Sequence, residues 1–293
     1  MSPAPTVDIT RNFIKAKRPC AQGYRWFLRR QEFGSGYQQL LDDLVQDGRV
    51  EDACWLLDQM GPTDEVLRVE SLQADAMVFA GTIECAGDVE VSTVLRTGRS
   101  LLGQGGVRVG TSLQVGEDLR VQANVKCAGA LQVASDMRVG WGMEVEGRFA
   151  CHGHVRVGWG VDCASEVRIT GNLVVGHDLS AGGDLDCAGG ARLGGGLLGA
   201  GSVHIGRGLD AGGSVACGLH LSAGRGIRSG GGIRAGGAIR AGESLQAREE
   251  IAAGPGYGIF AGLDVSLESW DVSAQVIAQS KPERLLSGCW SPQ

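Results

Sequence analysis

The sequence predicts a mostly β fold: a single-stranded parallel β-helix (β-solenoid) with a hexad repeat, preceded by a small α-helical N-terminal cap. An apolar residue recurs every six positions from Met77 to Leu263 in one register, which is typical of a repeat and not of a globular core. Glycine supplies 49 of the 293 residues and proline only 7, as expected for a tightly wound chain that turns often. Aromatic residues make up only 5%, so the core must be narrow and aliphatic.

Each hexad describes a short strand followed by a corner. Two residues after the first apolar residue comes a smaller one, as in Val107 and Val109. Because alternate residues of a strand share a face, both side chains point to the same side. The fourth place is usually Gly or Ala, which permits a sharp corner, and the sixth is often Asp, Gly or Ser. Three hexads make a triangular turn of about 18 residues, with parallel ladders between turns ~4.8 Å apart. A flat turn of about 12 residues is the other arithmetic solution.

Four segments follow one another along the chain. Residues 1–63 lack the hexad and read as amphipathic helices that form an N-terminal domain or cap, with Gly48 and Gly61 as C-caps. We expect a lead-in at 64–76, the β-solenoid at 77–265 and an irregular C-terminal cap at 266–293, since open solenoid ends expose unpaired ladder groups. The predicted core of the helical domain comprises Phe13, Tyr24, Trp26, Phe27, Leu40, Leu41, Leu44, Cys54, Trp55, Leu56 and Leu57.

Composition and charge exclude several classes of protein. Hydrophobic residues make up 43% and charged residues 20% of the chain, which argues against disorder and against a membrane protein. The net charge of −6 provides no basic field for nucleic acid. The first residues lack a basic segment followed by an apolar run, so no secretory signal is predicted. Nine cysteines in a chain of this size fit a reducing compartment, and we expect a cytoplasmic protein.

The repeats GGSVAC, GIRSGG, GIRAGG and AIRAGE resemble those of polymer-forming β-helices, the bactofilins and the flagellar assembly protein A-like family. The resemblance covers roughly residues 77–265. It implies a bacterial β-helix and, as one function, a self-assembling cytoskeletal or scaffold protein. Bactofilins lack an N-terminal helical domain of the kind expected for residues 1–63, and this difference argues against filament formation.

Hexapeptide acyltransferases are the alternative that would make the protein an enzyme. Their left-handed β-helices place a small residue two positions before the aliphatic one, whereas here the larger residue comes first. They also need a His base in a cleft, usually built from long excursions of the coil, and the hexad runs without insertion from Met77 to Val265. His152 and His154 are expected to lie at a solvated corner.

The cysteines do not predict a metal site or a disulfide. Six of them occupy the second apolar position and should point into the core: Cys85, Cys127, Cys151, Cys163, Cys187 and Cys217. Those that share a column are at least two turns apart, too far for a disulfide and for the converging ligands of zinc. The sequence therefore predicts no catalytic residue, no metal ligand and no cofactor.

Two surface columns are the candidate functional site. Residues 18 apart stack on one face, so Arg120, Arg138 and Arg156 should lie on consecutive turns, with Arg192 and Arg228 further along. Trp141, Trp159 and His177 should form a second column at the fifth place of the hexad. One interpretation is that Trp and Arg stack on each other and stabilise a corner. The other is a binding stripe for a polyanion, a glycan or a partner protein.

The function that these observations predict is a non-catalytic structural or protein-interaction module built on a capped β-solenoid. Its expected partner is another protein or a second copy of the chain, with no membrane and no specific nucleic acid. A bactofilin-like scaffold and a hexapeptide-type acyltransferase remain the alternatives.

Overall fold

A computed structural model describes residues 11–30, 36–265 and 269–293. Four helices begin the described chain, as predicted: α1 (Arg11–Ala16), α2 (Ala21–Arg30), α3 (Tyr37–Gln46) and α4 (Val50–Met60). A short helix, α5 (Trp270–Ser273), lies near the C-terminus. No helix in these three ranges is long and apolar enough to cross a membrane.

The rest of the chain is a β-solenoid of three parallel sheets, which confirms the predicted fold class and the turn of about 18 residues. Sheet A contains Val66–Val69, Thr82–Cys85, Leu101–Gly103, Leu119–Val121, Met137–Val139, Val155–Val157, Leu173–Val175, Ala191–Leu193, Leu209–Ala211, Ile227–Ser229, Leu245–Ala247, Gln275–Ala278 and Cys289–Pro292. Sheet B contains Leu72–Ala74, Val89–Val91, Val107–Val109, Val125–Cys127, Met143–Val145, Val161–Cys163, Leu179–Ala181, Leu197–Gly199, Val215–Cys217, Ile233–Ala235 and Ile251–Ala252. Sheet C contains Met77–Phe79, Val94–Thr97, Ser112–Val115, Ala130–Val133, Phe149–Cys151, Val167–Ile169, Leu185–Cys187, Val203–Ile205, Leu221–Ala223, Ile239–Ala241, Ile259–Phe260 and Leu285–Ser287.

The core is the interior of the coil, and both apolar positions of the hexad face it. Met137 lies beside Val155 on the next turn and Val139 beside Val157, and all four side chains are buried. The corner after each strand leaves little room: a Cβ on Gly158 would lie 2.0 Å from the carbonyl oxygen of Gly140. At Gly158 a larger residue would therefore require the corner to shift away from the preceding turn.

The ladder is longer than residues 77–265. It begins at Val66, which pairs with Thr82, and Leu72 pairs with Val89. In these first pairings the two partners are closer in sequence than the 18 residues that separate Met77 from its partner Leu95. The hexad repeat therefore did not predict them.

The predicted register fails at its last two positions, Tyr257 and Leu263, whose side chains are 46% and 54% exposed. A turn around Gly256, where φ is +85°, shifts the chain by two residues. Ile259 and Ala261 then occupy the core.

The C-terminal segment, expected to be irregular, adds strands to the coil. Leu245 pairs with Val276, and Val276 pairs in turn with Trp290. The strand Leu285–Ser287 extends sheet C. The end of the core is thus closed by strands that return after a long excursion.

The helical domain covers the first strand of sheet C. Val78 and Ala80 face away from the coil and are buried in the cluster formed by α3 and α4, together with Leu40, Leu41 and Leu57. Phe27, Leu44 and Leu56 are buried in this cluster, and Tyr24, Trp26, Cys54 and Trp55 pack against it, as predicted; the side chain of Phe13 lies outside the described residues.

Gln38 of α3 takes the place of a preceding strand at this edge. Its Nε2 donates to the carbonyl of Val78 at 3.0 Å, and its Oε1 accepts from the N–H of Ala80 at 2.9 Å. The side-chain amide thereby satisfies two backbone groups that a bare sheet edge would expose. An ion pair between Arg96 and Asp58 of α4 joins the domain to the next turn.

All nine cysteines are free thiols, and the six at the second apolar position are buried. Cys151 donates to the carbonyl of Ser135 at 3.1 Å, and Cys187 donates to Gly171 at 3.4 Å. Burial raises the pKa of Cys151, Cys187 and Cys217 from the ordinary 9.0 to about 11. These thiols pack as small apolar residues.

Replacing an inward residue should be far more damaging than replacing its outward neighbour. Leu131 is 1% exposed, and the adjacent Gln132 is exposed. We expect Leu131→Ala to cost about 2–5 kcal/mol, and Leu131→Asp to prevent folding because its charge would have no partner in the core. Gln132→Asp, the control, should leave the midpoint of urea unfolding nearly unchanged. Equal effects at the two positions would contradict the inward assignment.

The buried thiols should make the protein sensitive to alkali. In the unfolded chain they ionise near pH 9.0, whereas in the fold they do so at about 11. Because the folded pKa is raised, this stabilisation is complete below pH 9 and is lost progressively as the pH rises through about 11. The melting temperature should therefore fall between these values, and Cys187→Ala should lessen the fall. Cys20→Ala, which removes an exposed thiol, should have no such effect; an equal effect would refute the explanation.

Candidate functional site

The arginine column lies on the outer face of sheet A. Arg120 is beside Arg138, and Arg138 is beside Arg156, on consecutive turns. Arg120 forms an ion pair with Asp118 at 2.7 Å. Within the described ranges, Arg138 and Arg156 have no carboxylate at ion-pair distance. Two exposed guanidinium groups one turn apart repel each other, weakly in solvent and less at high salt.

The tryptophan column lies at the corner between sheets A and B. The backbone N–H of Trp159 donates to the backbone carbonyl of Trp141 at 3.0 Å, and the backbone N–H of His177 donates to the backbone carbonyl of Trp159 at 2.8 Å. The side chains of Trp141 and Trp159 are 64% and 58% exposed. The rings of Trp159 and His177 are stacked, 4.6 Å apart and 13° from parallel. The stacking thus occurs within this column, and in the described chain neither of the two ring contacts involves an arginine.

Asp178 fixes the imidazole that stacks on Trp159. Its Oδ2 lies 2.7 Å from His177 Nδ1, and its Oδ1 accepts from the N–H of Gly196 at 2.6 Å. The bond from Gly196, and then His177, hold the pKa of the Asp178 carboxyl below its ordinary value. A carboxylate partner requires the proton on Nδ1, which leaves Nε2 available to an external group.

Trp159 and His177 form one wall of a shallow trough of about 1110 Å³ that runs along sheet B. Its floor carries the outward side chains of successive turns: Lys126, Glu144, Asp162, Ser180, Leu198 and Ala216. Trp141 and the three arginines Arg120, Arg138 and Arg156 do not line it. The structure therefore divides the predicted site between two faces of the coil.

The charged side chains that line the trough are nearly balanced, because Arg108 and Lys126 lie with Glu144, Asp162 and Asp178. Lys126 donates to both oxygens of Glu144, at 2.9 and 2.8 Å, and so neutralises it. Asp162 has no basic partner at ion-pair distance in the described chain, and Asp178 is paired only with His177. With His177 neutral, three carboxylates and two cations line the trough, a net charge of −1.

The sixth place of the hexad carries a hydrogen-bond ladder that the sequence reasoning missed. At the corner before sheet A, a side chain accepts from the backbone N–H of the residue 18 positions later. The acceptors are Ser100, Asp118, Asp136, His154 and Asn172, at 3.3, 3.2, 2.8, 2.9 and 2.9 Å. The Asp and Ser of the hexad consensus were the available signal, since both residues accept hydrogen bonds readily.

Glycine at the sixth place leaves the next N–H without a partner. Asn172 accepts from Gly190, but Gly190 and Gly208 have no side chain to continue the ladder. The N–H groups of Gly208 and Gly226 consequently have no acceptor in the described chain. The same interruption at Gly142 and Gly160 leaves the N–H groups of Gly160 and Asp178 open inside the trough.

No metal centre is present among the described side chains, since no three His, Cys, Asp or Glu residues converge there.

A family model matches the N-terminal part of the chain. Residues 1–61 match the family model described as the YdhT N-terminal domain. No curated protein and no solved structure matches the chain. The coil that carries both candidate surfaces lies outside the matched residues.

Restoring the interrupted ladder should stabilise the coil. A Cβ on Gly208 would lie 3.5 Å from the nearest atom, an ordinary contact, so Gly208→Asn fits and can accept from the N–H of Gly226. We expect a gain of about 1 kcal/mol from the new bond and from the reduced entropy of the unfolded chain. Asn172→Ala, the reverse change, should destabilise by a similar amount, and Asn172→Asp should not. Urea unfolding measures all three, and a destabilised Gly208→Asn would contradict the role of the ladder.

Proposed function

We propose that the chain is a non-catalytic interaction module that binds an extended partner in the trough on sheet B. The observation that carries the proposal is the Trp159–His177 stack, which remains exposed beside the trough although its orientation is fixed. A rigid, exposed aromatic group loses little entropy when it binds a partner. The trough is open and long, so it suits a linear partner better than a small molecule, which prefers an enclosed pocket.

The contacts of His154 and His220 support a structural role for these two residues. A general base needs a ring nitrogen free to take a proton from a substrate. In His154 and His220, Nδ1 already accepts a backbone N–H, at 2.9 and 3.0 Å. His204 Nδ1 lies 2.9 Å from the hydroxyl of Ser222. These contacts occupy Nδ1 of His154 and His220 in the ladder, whereas His177 keeps a free Nε2.

Self-assembly of a bactofilin-like kind is the second candidate, and the repeat resemblance favours it. Against it stands Gln38, whose amide occupies the edge of sheet C that another copy would need. Growth of a filament through this edge would require the helical domain to move away. We therefore consider partner binding the better supported of the two functions.

We also propose that the protein is cytoplasmic, because nine free thiols remain reduced in that compartment.

The proposal is tested by capturing partners from a lysate with the wild-type protein and three variants. Trp159→Ala removes the exposed ring of the trough, and Arg138→Glu reverses a charge on sheet A. Leu219→Ala is the control, because Leu219 is also a large exposed apolar residue, 53% accessible, and lies outside the trough. We expect Trp159→Ala to lose partners that the other two variants retain, with all melting temperatures within a few degrees.

Two results would contradict this proposal. Partners lost with Arg138→Glu and retained with Trp159→Ala would move the binding surface to sheet A. Filaments of the wild-type protein in negative-stain electron microscopy would favour self-assembly.

A further inference from the structure

We propose that the first two helices, α1 and α2, bind the phosphate backbone of double-stranded DNA without reading its sequence. This inference goes beyond the proposed function, because these helices belong to the helical domain and not to the coil that carries the trough. We call residues 11–30 the basic segment. Its charge, its exposed cations and the burial of its apolar side chains carry the inference.

The basic segment concentrates positive charge that the composition of the whole chain conceals. Residues 11–30 contain seven basic residues and no acidic one, a net charge of +7. The whole chain carries −6, which leaves −13 for all other residues. A net charge summed over the sequence therefore gives no sign of this local basic field.

Four exposed cations of the basic segment have no carboxylate at ion-pair distance among the described residues. They are Lys15, Arg18, Arg25 and Arg29. Arg25 and Arg29 are four positions apart in α2, so their side chains lie on the same face of the helix. Guanidinium groups bind phosphate oxygens through paired, charge-assisted hydrogen bonds. This face of α2 is therefore suited to contact adjacent phosphates.

The acidic residues of the neighbouring helices do not neutralise these four cations. Residues 37–60 contain six acidic residues and one basic residue, but several of the carboxylates have other partners. Asp47 accepts from Trp26 Nε1 at 2.6 Å, Asp52 is paired with Arg49, and Asp58 is paired with Arg96. The positive charge of the basic segment thus remains available to an external anion.

The large apolar side chains of the basic segment are turned toward the domain core. Ile14 and Phe27 are buried in the helical cluster, and Tyr24 and Trp26 pack against it. None of the exposed large apolar residues of the described chain lies in this segment. Its outer surface is therefore polar and positively charged.

A charged surface without apolar anchors distinguishes among the anionic partners. Helices that bind at a membrane surface bury an apolar face among the lipids, and protein interfaces depend on buried aromatic or aliphatic anchors. Proteins that bind single-stranded nucleic acid stack its bases on exposed aromatic rings. The backbone of duplex DNA requires none of these groups, because neutralising its phosphates releases bound counterions.

The helical shape of the segment favours DNA over double-stranded RNA. The major groove of B-form DNA admits an α-helix, whereas the deep, narrow major groove of A-form RNA does not admit protein side chains. Double-stranded DNA is therefore the partner that this surface suits best.

Fluorescence anisotropy of the full chain with a labelled DNA duplex of arbitrary sequence tests the inference over a series of salt concentrations. If each of the four cations contacts one phosphate, the logarithm of the association constant should fall with the logarithm of the salt concentration with a slope of about −4. A second duplex of unrelated sequence should give the same affinity and the same slope.

Substitution of two arginines locates the binding surface. The double variant Arg25→Ala, Arg29→Ala should bind at least tenfold more weakly, with a slope reduced by about 2, because two phosphate contacts are lost. Alanine supports a helix, so the melting temperature should be unchanged. The matched control, Arg138→Ala with Arg156→Ala, removes two exposed arginines from the coil and should leave the affinity and the slope unchanged. Replacing Arg25 and Arg29 by Lys keeps the charge and should retain the slope.

Several outcomes would overturn the inference. These are the absence of binding at low salt, binding that does not depend on salt, and an equal loss of affinity in the coil control. In competition, a preference for vesicles that contain phosphatidylserine would assign the segment to a membrane surface, and a preference for polyglutamate would assign it to an acidic protein. Tighter binding of single-stranded DNA or of duplex RNA would refute double-stranded DNA as the partner.

Discussion

The parallel hydrogen bonds between one turn and the next fix almost everything else in this molecule. Each strand is only two to four residues long, too short to be stable alone, and gains its partners from the turns on either side. Because these pairings hold the register, every inward residue lies on an inward residue, as Met137 lies on Val155. The same constraint places every outward residue on an outward one. A surface property that recurs at a spacing of 18 residues therefore becomes a continuous stripe.

This constraint explains why the coil could be predicted in detail and its two ends could not. The hexad identified the strands from Met77 to Ile251 because each turn there repeats the same length and the same inward pair. Val66–Val69 was missed because its turn is shorter, and Tyr257 was misassigned because the turn at Gly256 shifts the register. The strands Gln275–Ala278 and Cys289–Pro292 return after an excursion, so their pairing leaves no periodic trace in the sequence.

The candidate site was predictable as columns but not as a surface with a shape. The positions of Arg138 beside Arg156 and of Trp159 beside His177 on consecutive turns followed from the spacing. The spacing did not predict the trough, because the trough forms where glycines have no side chain. A corner residue can also point toward either of the two sheets that it joins. Trp159 lines the trough on sheet B, although the hexad numbering groups it with Arg156 of sheet A. The N–H groups of Gly160 and Asp178 are likewise open because Gly142 and Gly160 have no side chain that could accept a hydrogen bond.

The three-sided turn also governs how such a protein can change its length during evolution. Loss or gain of one whole turn leaves every later strand on its own sheet and shortens or lengthens the trough by one rung. Loss of a single hexad, by contrast, would move each following strand to the neighbouring sheet and carry Trp159 or Asp178 to a different side of the rod. Genetic duplications that survive should therefore come in units of three hexads, and the number of rungs in the trough would change in the same steps.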